Sequence, residues 1–223
     1  MSIKTGYFLC GRFTGKTSAA ITRQFSQVLE LVNQRMAKRC LAPLRIFFGT
    51  EFSGMYPTLR DCCEMLIQAE EEWLKEGHKI NFSWAIGYGQ TDLKRHAPRE
   101  YEITGSDFDD LRTLLLNNNP KKKRILPALN QREQALFLSH AFSLRDVFAG
   151  EWNLKRDLRI LSIFLEGNDY KVAAEELDIA RPQAWKKYKS MNMGPYFSSR
   201  ELILEGAELL FKEPANEQII ALD

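Results

Sequence analysis

Residues Val172 to Lys189 read VAAEELDIARPQAWKKYK, the pattern of two short helices around a tight turn. Ala173, Ala174 and Leu177 give the first helix a small, apolar inner face. Asp178-Ile179-Ala180 is the turn, with Ile179 pointing in. Pro182 stands at the start of the second helix, where a missing N–H costs nothing. Ala184 and Tyr188, at i and i+4, are that helix's inward pair. Arg181, Trp185, Lys186 and Lys189 fall outward. A helix-turn-helix lays its second helix against a nucleic-acid groove in this way. Arg181, Lys186 and Lys189 would then meet phosphates, with Gln183 or Trp185 nearer the bases. The same spacing also suits a hairpin in a bundle that binds no nucleic acid. Asp178 replaces the usual Gly of such a turn, and Asp can take the left-handed conformation at some cost.

The whole chain has 223 residues, enough for one or two compact domains. Its 44% hydrophobic and 27% charged content are ordinary globular values. A net charge of +2 excludes a uniform basic coat, so nucleic-acid binding would need a local patch. The start, MSIKTGYFLCGRF, has no long apolar core and no small-residue cleavage site, so a soluble, cytoplasmic chain without membrane contact is expected. Cys10, Cys40, Cys62 and Cys63 form no C-x-x-C pair and read as buried free thiols. His78, His96 and His140 lack metal-ligand spacing. No metal site and no cofactor is expected.

Outward from the hairpin, the first half alternates strand and helix signals. Gly6 to Cys10, Leu44 to Phe48, Phe52 to Tyr56 and Ile80 to Ile86 read as strands. A helix over Ser18 to Lys38 faces inward through Phe25, Val28, Leu29, Val32 and Met36. Thr58 caps a second, with Leu59, Cys62, Cys63, Leu66, Ile67, Trp73 and Leu74 inward. Gly87 and Gly89 are read as strand stops, residues 88–105 as a loop, and Ser106 as the cap of a third helix. Asn117 to Arg124, with three Asn, a Pro and four consecutive cations, is a composition break that reads as a solvated turn, with a phosphate contact as the functional alternative. Beyond it only helices are expected, over Asn130 to Gly150, Leu154 to Glu166, the hairpin, and Ser198 to Phe211. The sum is an α+β chain. Residues 1–126 form a βαββαβ domain of ferredoxin-like order, and residues 127–223 a helical domain with the helix-turn-helix at about 169–190.

Two loops of the first half carry phosphate-site signals. Gly11-Arg12-Phe13-Thr14-Gly15-Lys16-Thr17 follows a strand and precedes a helix, as a P-loop does. It has three residues between its glycines where a P-loop needs four. The milder reading is a turn whose Thr17 or Ser18 caps the helix. The second loop is Gly49-Thr50-Glu51-Phe52-Ser53-Gly54.

Together these segments, with Thr104 to Arg112 and Val172 to Lys189, resemble the SatD family. That family shows G-D-I-x-x-S-R after strand one, G-D-E-F-Q-G between strands two and three, and a terminal helix-turn-helix. The resemblance implies a degenerate nucleotidyl-cyclase-like fold for the first half. In such sites two carboxylates hold two divalent metals. Here Arg12 and Thr50 stand at the corresponding positions and only Glu51 remains, so two-metal catalysis is not expected. Arg12, Lys16, Thr50 and Glu51 could still form a pocket for a phosphate or another small anionic ligand, or Arg12 and Glu51 could simply pair. Three readings stay open: a regulator that binds duplex DNA, as a monomer or a homodimer, with a silent sensor or dimerisation domain; a nucleotide-acting enzyme of cyclase-like fold; and a protein-binding module anchored by Trp185.

Overall fold

The structure, a computed structural model, describes residues 2–97, 100–121 and 123–209. Side chains alternate along β1 (Ser2–Phe13), as a strand covered on both faces requires. Tyr7, Leu9 and Phe13 join one apolar cluster, and Phe8 and Cys10 another. β1 sits between β3 (Glu51–Tyr56) and β4 (Phe82–Ala97), antiparallel to both, and β2 (Ala42–Phe48) lies outside β3. With α1 (Ala19–Arg35) and α2 (Leu59–Lys75) between the strands, this is the expected βαββαβ order. Gly49, at φ +58°, turns β2 into β3.

Ser18 caps α1 by accepting from Ile21 N at 3.3 Å, and Thr58 caps α2 by accepting from Asp61 N at 3.1 Å. All the expected inward residues of both helices are buried. Phe25 of α1 packs on Phe13, Phe52, Trp73 and Phe82 at ring distances of 4.5 to 5.3 Å. The other face of the sheet is covered by α3 (Ser106–Asn117) through Phe108, Leu111 and Leu115.

Several boundaries differ from the sequence reading. β4 does not stop at Gly87. It pairs with β1 over β1's full length, as far as Ser2 opposite Leu93. It then forms a hairpin with β5 (Glu100–Thr104), so most of the expected loop 88–105 is strand. Gly89 is a packing glycine, because a Cβ there would collide with Asp107, whose carboxylate accepts from Gln90 N at 2.8 Å. The cap position of α3 is Gly105, at φ +137°, and Ser106 is the first helical residue. A further strand, β6 (Ile125–Ala128), pairs parallel to the start of β4, and the expected domain boundary at 126/127 falls inside it.

The remaining helices are α4 (Arg132–Gly150), α5 (Leu154–Gly167), α6 (Tyr170–Glu176), α7 (Arg181–Ser190) and α8 (Met193–Leu209). α8 starts five residues before the expected Ser198, and Leu210 and Phe211 lie outside the described residues. Leu136 and Val147 of α4, and Leu202 and Leu209 of α8, are exposed. Leu138, Ala141 and Phe142 of α4 and Ile203, Leu204 and Ala207 of α8 instead enter the same core as α1, α2 and the sheet. A second core joins α5, α6 and the start of α8 through Leu161, Phe164, Ala173 and Tyr196, with Trp152 from the α4–α5 link and Leu74 of α2, and Tyr188 of α7 packs against it.

A buried ionic network crosses this junction. Glu70 of α2 is fully buried and accepts from Trp84 Nε1 at 2.7 Å, from Arg145 at 2.6 Å, and from Arg124. Arg145 of α4, also fully buried, donates to the Tyr196 hydroxyl at 2.8 Å, and that hydroxyl donates to Glu71 at 2.9 Å. Arg124 turns inward to Glu70 and Asp146, so the last cation of the expected solvated turn is half-buried and paired. Its neighbours Lys121 and Lys123 are exposed, and Lys122 lies outside the described residues. Among the described residues, no helix is long and apolar enough to cross a membrane.

Candidate functional site

The hairpin over α6 and α7 is built as its sequence directs. Asp169 caps α6 by accepting from Lys171 N at 2.7 Å. Asp178 takes the left-handed conformation at φ +51°, and Asn168 at φ +49° closes α5 in the same way. Pro182 lies in the first turn of α7. Ala184 is fully buried, and Ala173 and Ala174 of α6 are buried too. Tyr188 is half-buried against Phe164, and its hydroxyl donates to Asn168 Oδ1 at 2.7 Å.

All five expected contact residues, Arg181, Gln183, Trp185, Lys186 and Lys189, are exposed on α7. Trp185 is 42% exposed. It lies parallel to Tyr188 at 5.8 Å and against Tyr170 at 4.9 Å, with Lys189 Nζ 5.1 Å from its ring. Its indole is therefore held between neighbouring side chains while remaining partly in solvent. Arg181 pairs with Glu175 at 3.0 Å, both well exposed, so this link is weak. Lys187, which the sequence reading left aside, reaches across to Asp157 of α5. Asp157 also takes a bidentate contact from Arg156, at 2.6 and 2.9 Å. The Arg156 hydrogen bonds, with those of Lys187 behind them, hold its carboxyl below the usual range.

The front loops come together less completely. Arg12 and Glu51 stand directly opposite each other on β1 and β3. They do not pair. Glu51 is gripped by Arg112 of α3 through two hydrogen bonds, at 2.6 and 3.1 Å. Arg12 donates to the backbone oxygen of Asn118 at 3.1 Å, and its Nε is buried without a partner. Lys16 and Thr50 are exposed, and Thr50 O accepts from Phe13 N at 3.1 Å. The P-loop comparison fails on Gly11, which lies inside β1, where a Cβ would fall within the Phe52 ring. Gly54 is likewise a strand residue, against Leu44. Among the described residues, no group of three or more His, Cys, Asp or Glu could hold a metal ion. Cys10, behind Glu51, has its thiol pushed up by burial and, secondarily, by the Glu51 charge.

Arg112 was missed because nothing local marks it. It stands next to Leu111, one residue off the inner face of α3. The network around Glu70 had a faint signal, since Arg145 continues the apolar face of Leu138, Ala141 and Phe142 at i+3 and i+4 spacing.

No family model matches the chain, the SatD resemblance included, and no curated protein matches it. Similar solved structures include a bacterial light-regulated adenylyl cyclase, 7% identical, with a TM-score of 0.43 over 57% of this chain and 77% of that one. A second structure so described is 6% identical, at 0.42 over 56% and 43%. The guanylyl cyclase Cya2 is 13% identical, at 0.35 over 53% and 72%. Likeness at this level decides neither fold nor activity.

Proposed function

We propose that this chain binds duplex DNA through α7, as a transcription regulator does. Residues 127–223 form the binding unit in this reading, and residues 1–126 a sensor or dimerisation layer. The observation that carries it is the exposed face of α7. The stretch Arg181 to Lys189 has four cations and no carboxylate, and Arg181, Gln183, Trp185, Lys186 and Lys189 all face solvent. Arg181, Lys186 and Lys189 would sit on phosphates, and Gln183 and Trp185 nearer the base edges. In this reading the front layer acts without chemistry of its own, and Arg112 holds the Glu51 carboxylate in place.

Anisotropy of a labelled duplex, titrated at several salt concentrations, tests the reading. The double substitution Lys186→Ala with Lys189→Ala should weaken binding and make the salt slope shallower by about 2, near 0.9 per lost phosphate contact. Binding and slope that do not change assign the wrong face. No binding of the intact chain at low salt removes the reading altogether.

A second reading, a nucleotide-acting enzyme of cyclase-like fold, is favoured by the sheet order and by Glu51 on the β2–β3 hairpin. Fold alone is a weak warrant for it. It requires Arg112 to leave Glu51 and a metal to take its place. Turnover of nucleoside triphosphates with Mg²⁺ or Mn²⁺, lost in Glu51→Ala, would establish this reading over the first.

A further inference from the structure

A further group of surface cations lies on α5. Lys155, Arg156 and Arg159 are exposed on its first two turns. With Lys75 of α2 they line a shallow depression of about 570 Å³, and Glu176 of α6 is the carboxylate on its rim. Lys75 is engaged by Glu72 at 2.7 Å and by Glu166 at 3.2 Å. Lys155 and Arg159 make no ion pair among the described residues. Asp157, the acid between these cations, is only 3% exposed and is shared by Arg156 and Lys187. The cations of α5 therefore run on to those of α7 across a carboxylate that is already neutralised.

We propose that Lys155, Arg156 and Arg159 form a second contact to the phosphate backbone of the duplex, continuous with α7 through the Arg156–Asp157–Lys187 chain. This rests on the reading of α7 as the DNA-binding helix. The physical ground is the density of charge on both partners. B-form DNA offers a phosphate charge about every 1.7 Å of its axis, so a contiguous cation surface beside a reading helix gains by neutralising it. Such contacts carry no base information and fix how the reading helix sits on the duplex. Arg156 and Arg159 offer planar forks to phosphate oxygens, and Lys155 a flexible point charge. Arg156 serves both ends, since its side chain is 68% exposed while it holds Asp157.

The experiment uses the full chain and a labelled duplex of mixed sequence, with the salt slope of binding as the readout. Lys155→Ala with Arg159→Ala leaves the Asp157 link in place and should lower the slope by about 2, near 0.9 per contact. Adding Arg156→Ala should lower it by about one more. Glu176→Gln should tighten binding. The control, Lys121→Ala with Lys123→Ala, removes two exposed cations of the Asn-rich turn and should leave the slope unchanged. An unchanged slope in the α5 variants, with intact binding by the wild type, overturns this proposal and leaves α7 standing. An equal fall in the control also overturns it, since attraction would then be spread over the surface. Absence of wild-type binding overturns both. Far-UV circular dichroism of each variant, expected to match wild type, separates lost contacts from lost folding.

Discussion

Replacing Arg145 with Met should lower the stability of the whole chain by about 3 to 5 kcal/mol, the range for breaking a buried ion pair from one side. Arg145 is fully buried, donates to Glu70 at 2.6 Å and to the Tyr196 hydroxyl at 2.8 Å, and lies over the Tyr196 ring at 5.2 Å. Met can cover that ring, so what is lost is mainly charge pairing. Glu70 keeps Arg124 and the Trp84 indole, and this puts the value at the lower end. For a chain of this length, about 3 kcal/mol corresponds to a fall of roughly 6 to 12 °C in the melting midpoint. Urea unfolding should be followed by tryptophan fluorescence and by far-UV circular dichroism. The two signals should shift together, because α4 and the sheet share one core. Arg60→Ala is the comparison. It removes an exposed pair with Glu208 and should cost under about 1 kcal/mol. If Arg145→Met costs no more than Arg60→Ala, the network does not join the halves and the reasoning fails.

Gly11→Ala should destabilise by about 1 to 3 kcal/mol through overpacking on Phe52, read from urea midpoints; a neutral outcome would show that the ring has room to move. Asp157 has its carboxyl held below its ordinary 3.8, chiefly by Arg156. Its contribution is therefore present above that value and fades as pH falls through the lower folded one, and Asp157→Asn should remove that part of the acid limb below pH 3.8. Identical acid limbs for the two proteins would contradict the link. Glu71 behaves with the opposite sign, because burial raises its carboxyl above the ordinary 4.5 despite Arg200 and Arg145. Its contribution is full below 4.5 and is lost as pH rises through the higher folded value, so Glu71→Gln, which can still accept from Tyr196, should be at least as stable as wild type at pH 7. A clear loss of stability in that variant would show the charged form to be the favoured one.

The elements that the sequence makes plain are those whose apolar period agrees with their final burial. β1, the β2–β3 hairpin, α1 and α2 belong here, with Phe25 and Val32, or Leu66 and Trp73, sitting where helical spacing puts them. The hairpin of α6 and α7 is as clear, since Asp178 and Pro182 mark its turn and its start. The far half of β4 was hidden by Gly87 and Gly89, which punctuate a strand read alone. In the sheet they give room to Leu111 and Asp107 of α3. β6 was hidden by its length of four residues, one of them Pro127. At the front, it is the family resemblance that brings Arg12 and Glu51 into one site, and the register sets them opposite each other although they do not pair. The partner of Glu51 comes from 61 residues away, a distance no local pattern spans.

The six apolar side chains that α4 and α8 contribute to the core of the sheet layer bear on how the protein can be cut. A fragment beginning near residue 130 would carry Leu138, Phe142 and Ile203 uncovered, and such bare surface drives self-association. The complementary fragment would lose the same cover and leave Glu70 without Arg145. Neither piece should survive as a well-behaved monomer, so dissection by point substitution in the intact polypeptide is the route this architecture permits.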